Sequence, residues 1–323
     1  MNITARITAF TDRHQLIAPG STVIVGLSGG PDSVFLLHYL MILRESRPFT
    51  LMAAHLNHGW RTTSDHDEQF CEEFAQQFGI PFFARHAREF INEVNWTGSR
   101  EEQARFMRRL FFEQLVQEYP HARVALAHHQ DDQYETFFIR LVRGAGLQGL
   151  RGMIPHTEHY IRPLLCVRKE EIISYLHEHN INYAIDSTNA DAVYLRNRIR
   201  HQVIPALRTC DERFPVSFQQ TINNLAEADD FCTTIAEQTL AQLTTHHDDK
   251  SWIDLARFFA LHPFLQKQVI LRWLCTAQVP FVPSQGLFHE ILRFLQQPQG
   301  GVHRLHRNWH IHKQQKRATI HRY

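Results

Sequence analysis

Residues 23–37 read VIVGLSGGPDSVFLL, an apolar run of strand length that drops into glycines and reopens as an apolar segment of helix length. No other stretch limits the fold as much. A strand feeding a helix through a tight turn of small residues implies a crossover fold, with further strands laid parallel to the first and helices on both faces. The turn itself, Ser28-Gly29-Gly30-Pro31-Asp32-Ser33, has the composition of an anion cradle. Glycines let backbone N–H groups close around phosphate oxygens, and the start of the following helix adds positive potential. Ser28 and Ser33 supply hydroxyl donors. Asp32 is out of place in a bare anion site and makes sense if Mg2+ accompanies the phosphates. The plainer alternative is a tight turn with Asp32 or Ser33 as helix cap.

The flanking pattern agrees with a crossover fold. Strand-like runs at 22–27, 49–58, 81–87 and 123–129 alternate with helix-like segments at 32–43, 65–78, 99–119 and 131–143. The expected architecture is an α/β domain over 1–214 built on a mostly parallel sheet, with ligands at the carboxyl ends of the strands. Beyond 214 the strand signal fades, and apolar spacing at Ile222, Leu225, Phe231, Ile235 and Leu240 predicts a smaller, mainly helical domain over 215–323, expected to grip a polyanion if the resemblance set out below holds. A terminal hairpin around Gln314-Gln315 is expected at its end. Two commoner phosphate motifs are excluded. The turn lacks the Gly-Lys pair of a Walker loop, and Gly144-Ala145-Gly146-Leu147-Gln148-Gly149 follows a helix, not the strand a dinucleotide fingerprint needs.

Composition narrows the class. The chain has 323 residues, 43% hydrophobic and 21% charged, with no apolar run of membrane-spanning length and no leader-like start, so a cytoplasmic, membrane-free protein is expected. Its five cysteines are scattered and never spaced C-x-x-C, which argues against disulfide, zinc or iron–sulfur frameworks. Net charge is only +1, but Arg196, Arg198, Arg200 and Arg208 cluster without a carboxylate, as do Arg304, Arg307, Lys313, Lys316, Arg317 and Arg322. Clusters of one sign are footprints for a polyanion, with solvated basic faces as the plainer reading.

The S-G-G-x-D-S string resembles the pyrophosphate loop of the ATP pyrophosphatases, enzymes that split ATP between its α and β phosphates to adenylate an oxygen. Four further strings narrow the resemblance: HLNHGWR at 55–61, ALAHHQDDQYETFFIRLVRGAGLQGLRGM at 125–153, IRPLL from 161, and DSTNADAVYLRNRIRHQVIP at 186–205. In this order they resemble the tRNA(Ile)-lysidine synthetase family over nearly all of the first two hundred residues. That resemblance implies an adenine-nucleotide α-hydrolase-like (PP-loop) fold and a C–N ligase. It would use ATP and Mg2+ to activate C2 of the wobble cytidine in an isoleucine tRNA with a CAU anticodon, and free L-lysine would then displace AMP. A homodimer stays open.

It also implies roles. Ser28, Gly29, Gly30, Pro31, Asp32 and Ser33 would hold the nucleotide, with His55, Asn57, His58, Arg61 and His129 around it. Asp132 and Glu135 are spaced i,i+3, and Asp131 and Glu135 i,i+4, so they share a helix face. Such carboxylates could hold Mg2+ (Asp32 and Asp132), bind the lysine ammonium or take its proton; the plainer reading is a capping arrangement with Asp131 as N-cap. Arg105 and Arg108 match an ARxxRY string in which Arg109 replaces the tyrosine, and join Asp32, Asp132 and Glu135 as candidates for the chemistry. An ion pair of Arg105 with Glu101 is their bland alternative. Arg196, Asn197, Arg198 and Arg200 match R-N-x-I-R and are assigned to tRNA. The rivals are a tRNA 2-thiolation enzyme on the same loop, a metal-dependent phosphohydrolase and a nucleotide-sensing module.

Overall fold

The computed structural model describes residues 2–93, 100–184, 195–247 and 250–322, and side chains for all of these except 91–93 and 101. The chain divides into two units, Met1–Ser217 and Phe218–Tyr323. The first contains α1 (Ile3–Arg13), β1 (Thr22–Gly26), α2 (Pro31–Ser46), β2 (Thr50–Asn57), α3 (Ser64–Gln77), β3 (Phe82–His86), a 3₁₀ turn over Ala87–Glu93 and α4 (Arg100–Glu118). It continues through β4 (Arg123–Ala125), α5 (Gln130–Val142), α6 (Leu147–Leu150), β5 (His156–Thr157), β6 (Tyr160–Ile161) and α7 (Lys169–Glu178). A helical stretch then links α8 (Leu195–Arg198) through a π-turn to α9 (Ile204–Cys210).

The sheet order is β3-β2-β1-β4-β6-β5. β1 pairs in parallel with β2 on one side and with β4 on the other. Only β5 runs antiparallel, against β6 at the edge. Strict alternation along β1 explains why it is apolar throughout: Val23 and Val25 pack with α2 and α7, while Ile24 packs with Met107, Phe111 and Phe112 of α4. Chain crossovers leave β1 toward β2 and later reach β4 on the opposite side, so a crevice opens at the carboxyl ends of these two strands. The turn at 28–33 and the start of α5 both lie there.

The second unit starts within α10 (Phe214–Leu243) and holds β7 (Thr244–His247), β8 (Lys250–Asp254), α11 (Leu255–Phe259), α12 (Pro263–Thr276), α13 (Gln285–Gln296), β9 (Gly301–His306), β10 (Trp309–Gln314) and β11 (Arg317–Arg322). β10 and β11 form a hairpin whose turn holds Gln315 at φ 50°, but β7, β8 and β9 extend it into a five-stranded antiparallel sheet. The expected terminal hairpin is thus present, but it is part of a larger sheet that the mainly helical reading of 215–323 did not include. Strands of four to six residues rich in His and Thr carry too few apolar positions to announce a period of two. Phe231, placed on the buried stripe of α10 by its spacing, is 65% exposed; Phe218, Ile222, Ala236 and Leu240 are buried. Among the described residues, no helix is long and apolar enough to cross a membrane.

Candidate active site

The turn at 28–33 is closed from within. Ser33 is buried; its hydroxyl accepts from the Ser28 N–H (3.1 Å) and donates to the Gly30 carbonyl (2.9 Å). Ser28 is the exposed hydroxyl of the two, 3.1 Å from that of Ser33. Gly29 has φ +80°, a backbone conformation that selects glycine, although a Cβ there would meet the Cys71 sulfur at an ordinary contact distance of 3.4 Å. Gly30 caps α2 without a side chain and Pro31 follows it at the first helical position. Since proline has no N–H, the opening donors of α2 are those of Asp32 and Ser33, and no side chain caps them. A helix start left in this state is an anion site.

Asp32 does not stand alone. Both its carboxylate oxygens lie 2.6 Å from Lys169 Nζ, which reaches across from the first residue of α7. His129, the N-cap of α5, is buried beside it: His129 Nε2 is 3.8 Å from Asp32 Oδ2 and 3.5 Å from Asp132 Oδ2. Burial alone would lower the His129 pKa, but Asp132, a hydrogen bond to Asp131 and the charge of Asp32 outweigh it and raise it. His128 next door goes the other way. Burial leads, Arg162, Arg105 and Arg196 add to it, and its pKa falls to about 4. Adjacent histidines are thus one charged, one neutral near pH 6. Two carboxylates from different elements converging on one imidazole nitrogen form a hard-oxygen pair suited to Mg2+, which commonly takes one or two protein carboxylates and completes its shell with phosphates and water. Among the described residues no set of three His, Cys, Asp or Glu could hold a metal on its own.

The three carboxylates of α5 take separate partners instead of sharing a face. Asp132 accepts from the His129 N–H (2.9 Å), so the capping carboxylate is Asp132 and the N-cap is His129, not Asp131. Asp131 accepts from the Lys169 N–H (2.8 Å) and from Arg208 Nη2 (2.7 Å). Its burial would raise the pKa, but these bonds and His129 hold it at about 2. Glu135 is fully buried between Arg196 Nε (2.8 Å) and Arg200 Nε (2.6 Å). It is therefore not an open base, and Arg196 and Arg200 are not free cations. Arg198, between them, is exposed.

On the β2 side, His55 is buried with Nδ1 donating to the Leu27 carbonyl (2.9 Å), so it sets the end of β1 from beneath. Asn57 accepts from the Gly59 N–H (2.8 Å) and donates to Asp65 and Glu68 (2.9 and 2.7 Å). His58, held to a pKa of about 4 by burial and then by Arg108, lies against Trp60 with ring centres 4.9 Å apart and the rings tilted by 31°. Asn57, His58, Trp60 and Met107 line a cleft of 740 Å³. Arg61 is exposed, with its N–H on Ser64 Oγ. Arg108 Nη2 is 3.5 Å from His58 Nε2. Arg105 is exposed and close enough to Arg140 and Arg162 to lower both, after burial. The Glu101 side chain and residues 185–194, with most of the DSTNADAVYL string, lie outside the described residues.

The loop after α5 is tied back to it. Gln133 donates to the Met153 carbonyl (2.7 Å) and accepts its N–H (2.6 Å), while Arg140 donates to the Gly149 and Gly152 carbonyls. The glycines of 144–152 thus form a braced rim. Lys169, which the sequence reading missed, is the main addition to the site. Its only local sign is a lysine opening a helix after the IRPLL string, and the carboxylate it meets is 137 positions away.

A mostly parallel sheet whose first turn presents an uncapped helix start at a strand-order reversal is the frame of the nucleotide-binding α/β domains. The PP-loop domain family matches residues 2–207, and the chain belongs to that family. Proteins named tRNA(Ile)-lysidine synthase match along it: 31% identity over 92% of the chain for one from Bacillus cereus, and 34% over 82% for one from Geobacillus kaustophilus. One from Geobacter sulfurreducens is 38% identical over 73% of the chain. The chain spans 65%, 58% and 50% of the length of these three relatives. Among solved structures, the U34-tRNA thiolase NcsA from Methanococcus maripaludis aligns with a TM-score of 0.60 at 18% identity, over 70% of this chain and 78% of that one, a likeness of fold.

Proposed function

We propose that the chain carries the activity of a tRNA(Ile)-lysidine synthase. The C2 oxygen of the wobble cytidine in an isoleucine tRNA with a CAU anticodon attacks the α-phosphorus of ATP, and pyrophosphate leaves. The ε-amine of free L-lysine then attacks C2, AMP leaves with that oxygen, and the amine loses a proton. The reading is supported above all by the match of relatives so named along 92% of the chain, on a turn built to take phosphates. The cytoplasm supplies all three substrates.

The chain's own residues divide the work. The N–H groups of Asp32 and Ser33 and the glycine turn take the outer phosphates. Lys169, already at the turn's mouth, adds an ammonium there. Asp32 and Asp132 would hold Mg2+, whose charge would offset that on the departing pyrophosphate. The cleft beside Asn57 and His58 receives the nucleoside. Arg105 and Arg108 meet phosphate on AMP or tRNA, and Arg198 the tRNA backbone. The amine's proton leaves to a carboxylate of the cluster around His129 as the C–N bond forms. Glu135 serves by fixing Arg196 and Arg200.

Incubation of the protein with ATP, Mg2+, labelled lysine and this tRNA should place label in the tRNA and release one AMP per lysine. Sulfur incorporation, or phosphate release without AMP, would assign the site to a thiolase or a hydrolase instead.

A further inference from the structure

The arginines between 196 and 208 read from sequence as a footprint for a polyanion, yet three of them are spent inside the first unit. Arg196, Arg200 and Arg208 follow one another at spacings of four and eight along α8, the π-turn and α9. Such spacings return a side chain to one side of a helix. Opposite them stand Asp131 and Glu135, one turn apart on α5. Arg196 and Arg200 take Glu135, and Arg208 takes Asp131. The function proposed above explains the first two as a pair that Glu135 fixes. It gives Arg208 no task.

Arg208 is a fork that spans two helices. Its Nη2 donates to Asp131 Oδ1 (2.7 Å) and its Nη1 to Glu170 Oε1 (3.0 Å). The guanidinium carbon lies 6.0 Å from the centre of the buried Tyr134 ring. Side-chain exposure is 31% for Arg208 and 20% for Asp131, so this charge-assisted bond is partly shielded from water. Asp131 spends its other oxygen on α7: Oδ2 accepts the Lys169 N–H (2.8 Å) and lies 3.5 Å from His129 Nδ1. Arg208 thus orients the carboxylate that receives the first N–H of α7, and also holds the side chain of the next residue. The rest of that turn is pinned as well. The Gln130 N–H donates to the Val167 carbonyl (2.9 Å), and Glu171 accepts from both terminal nitrogens of Arg6 (2.7 and 2.9 Å). What this fixed turn carries is the Lys169 ammonium, 2.6 Å from both oxygens of Asp32. A lysine is a point charge on a flexible stem, so its reach is set by where its backbone starts.

We infer that Arg208 is a positioning residue for nucleotide binding: it fixes Asp131 and the first turn of α7 so that the Lys169 ammonium stands at the mouth of the phosphate turn. The inference deepens the reading of that turn as an ATP site and rests on it.

The test is a double-mutant cycle on the full chain, read by equilibrium binding of α,β-methylene-ATP with Mg2+, which needs neither lysine nor tRNA. Arg208→Met should weaken binding about fivefold. Arg208→Lys, which keeps the charge and loses the fork, should weaken it less. In a Lys169→Met background the Arg208→Met change should cost less than about twofold, because the group it positions is gone. Arg208→Gln, which can still bond Asp131, carries the same cycle if Arg208→Met does not fold. Wild-type nucleotide affinity in the Arg208 variants overturns the inference. So does a loss that persists undiminished beside Lys169→Met, since Arg208 would then act by another route. Weakened tRNA binding with nucleotide affinity intact would return Arg208 to a polyanion surface and overturn it too. A wild-type chain that binds no nucleotide overturns both the inference and the ATP reading. Nucleotide binding that obeys the cycle, without lysine incorporation into tRNA, supports the role of Arg208 and overturns the lysidine reading alone.

Discussion

Asp131 and Asp132 are neighbours in sequence with different employment. Asp131 joins α5 to α7 and α9, and its pKa is held from 3.8 to about 2. A carboxylate lowered in the folded state stabilises it above the unfolded value and loses that contribution as pH falls through the folded one. Asp131 should thus contribute about 2 kcal/mol near neutrality, lost between about pH 4 and pH 2. Acid unfolding of Asp131→Asn, followed by circular dichroism, should be flatter over that window than wild type. Lys169→Met should raise the KM for ATP by about 10- to 100-fold, the loss of a charge-assisted bond worth about 1.5–3 kcal/mol, with tRNA affinity unchanged. Unchanged KM would leave Lys169 as a mere counter-ion of Asp32. Asp32→Ala should abolish AMP formation and leave tRNA affinity near wild type. At this scale the sequence displayed Asp32 because the turn around it is local. It hid Lys169 because an ion pair between α2 and α7 leaves no mark in either segment.

Among elements, α5 is the one that does several jobs at once. Its N-terminus carries His129 and Asp132 at the crevice, and one turn later Gln133 braces the glycine rim. Gln133→Ala leaves the Met153 peptide unpaired, so unit 1 should lose about 2 kcal/mol, a fall in Tm of about 4–8 °C in a thermal melt. The strand–helix order of the first unit was readable because each of its central strands is buried on both faces and so apolar throughout. β7 and β9 were not readable. One face of each is solvent-facing, and their pairing depends on partners far along the chain. Glu135, a candidate for the chemistry by its spacing, lies buried between Arg196 and Arg200, since spacing on a helix says which side chains share a face but not what lies opposite that face.

For the molecule as a whole, a net charge of +1 cannot draw in a polyanion. Any salt-dependent RNA affinity must come from local groups, and the structure sorts them. Arg198→Ala, an exposed cation, should cut the slope of log K against log salt by about one. Arg200→Ala should instead strip buried Glu135 of one of its two guanidinium partners, leaving Arg196, and cost about 1–3 kcal/mol of stability with a smaller change in slope. The opposite ranking in paired melting and binding measurements would exchange their roles. Lys169 carries a last consequence. The phosphate turn is complete in sequence by residue 33, yet the ammonium at its mouth comes from a helix made much later in translation. A ribosome-bound chain that has not yet exposed α7 would hold the glycine turn but not this cation.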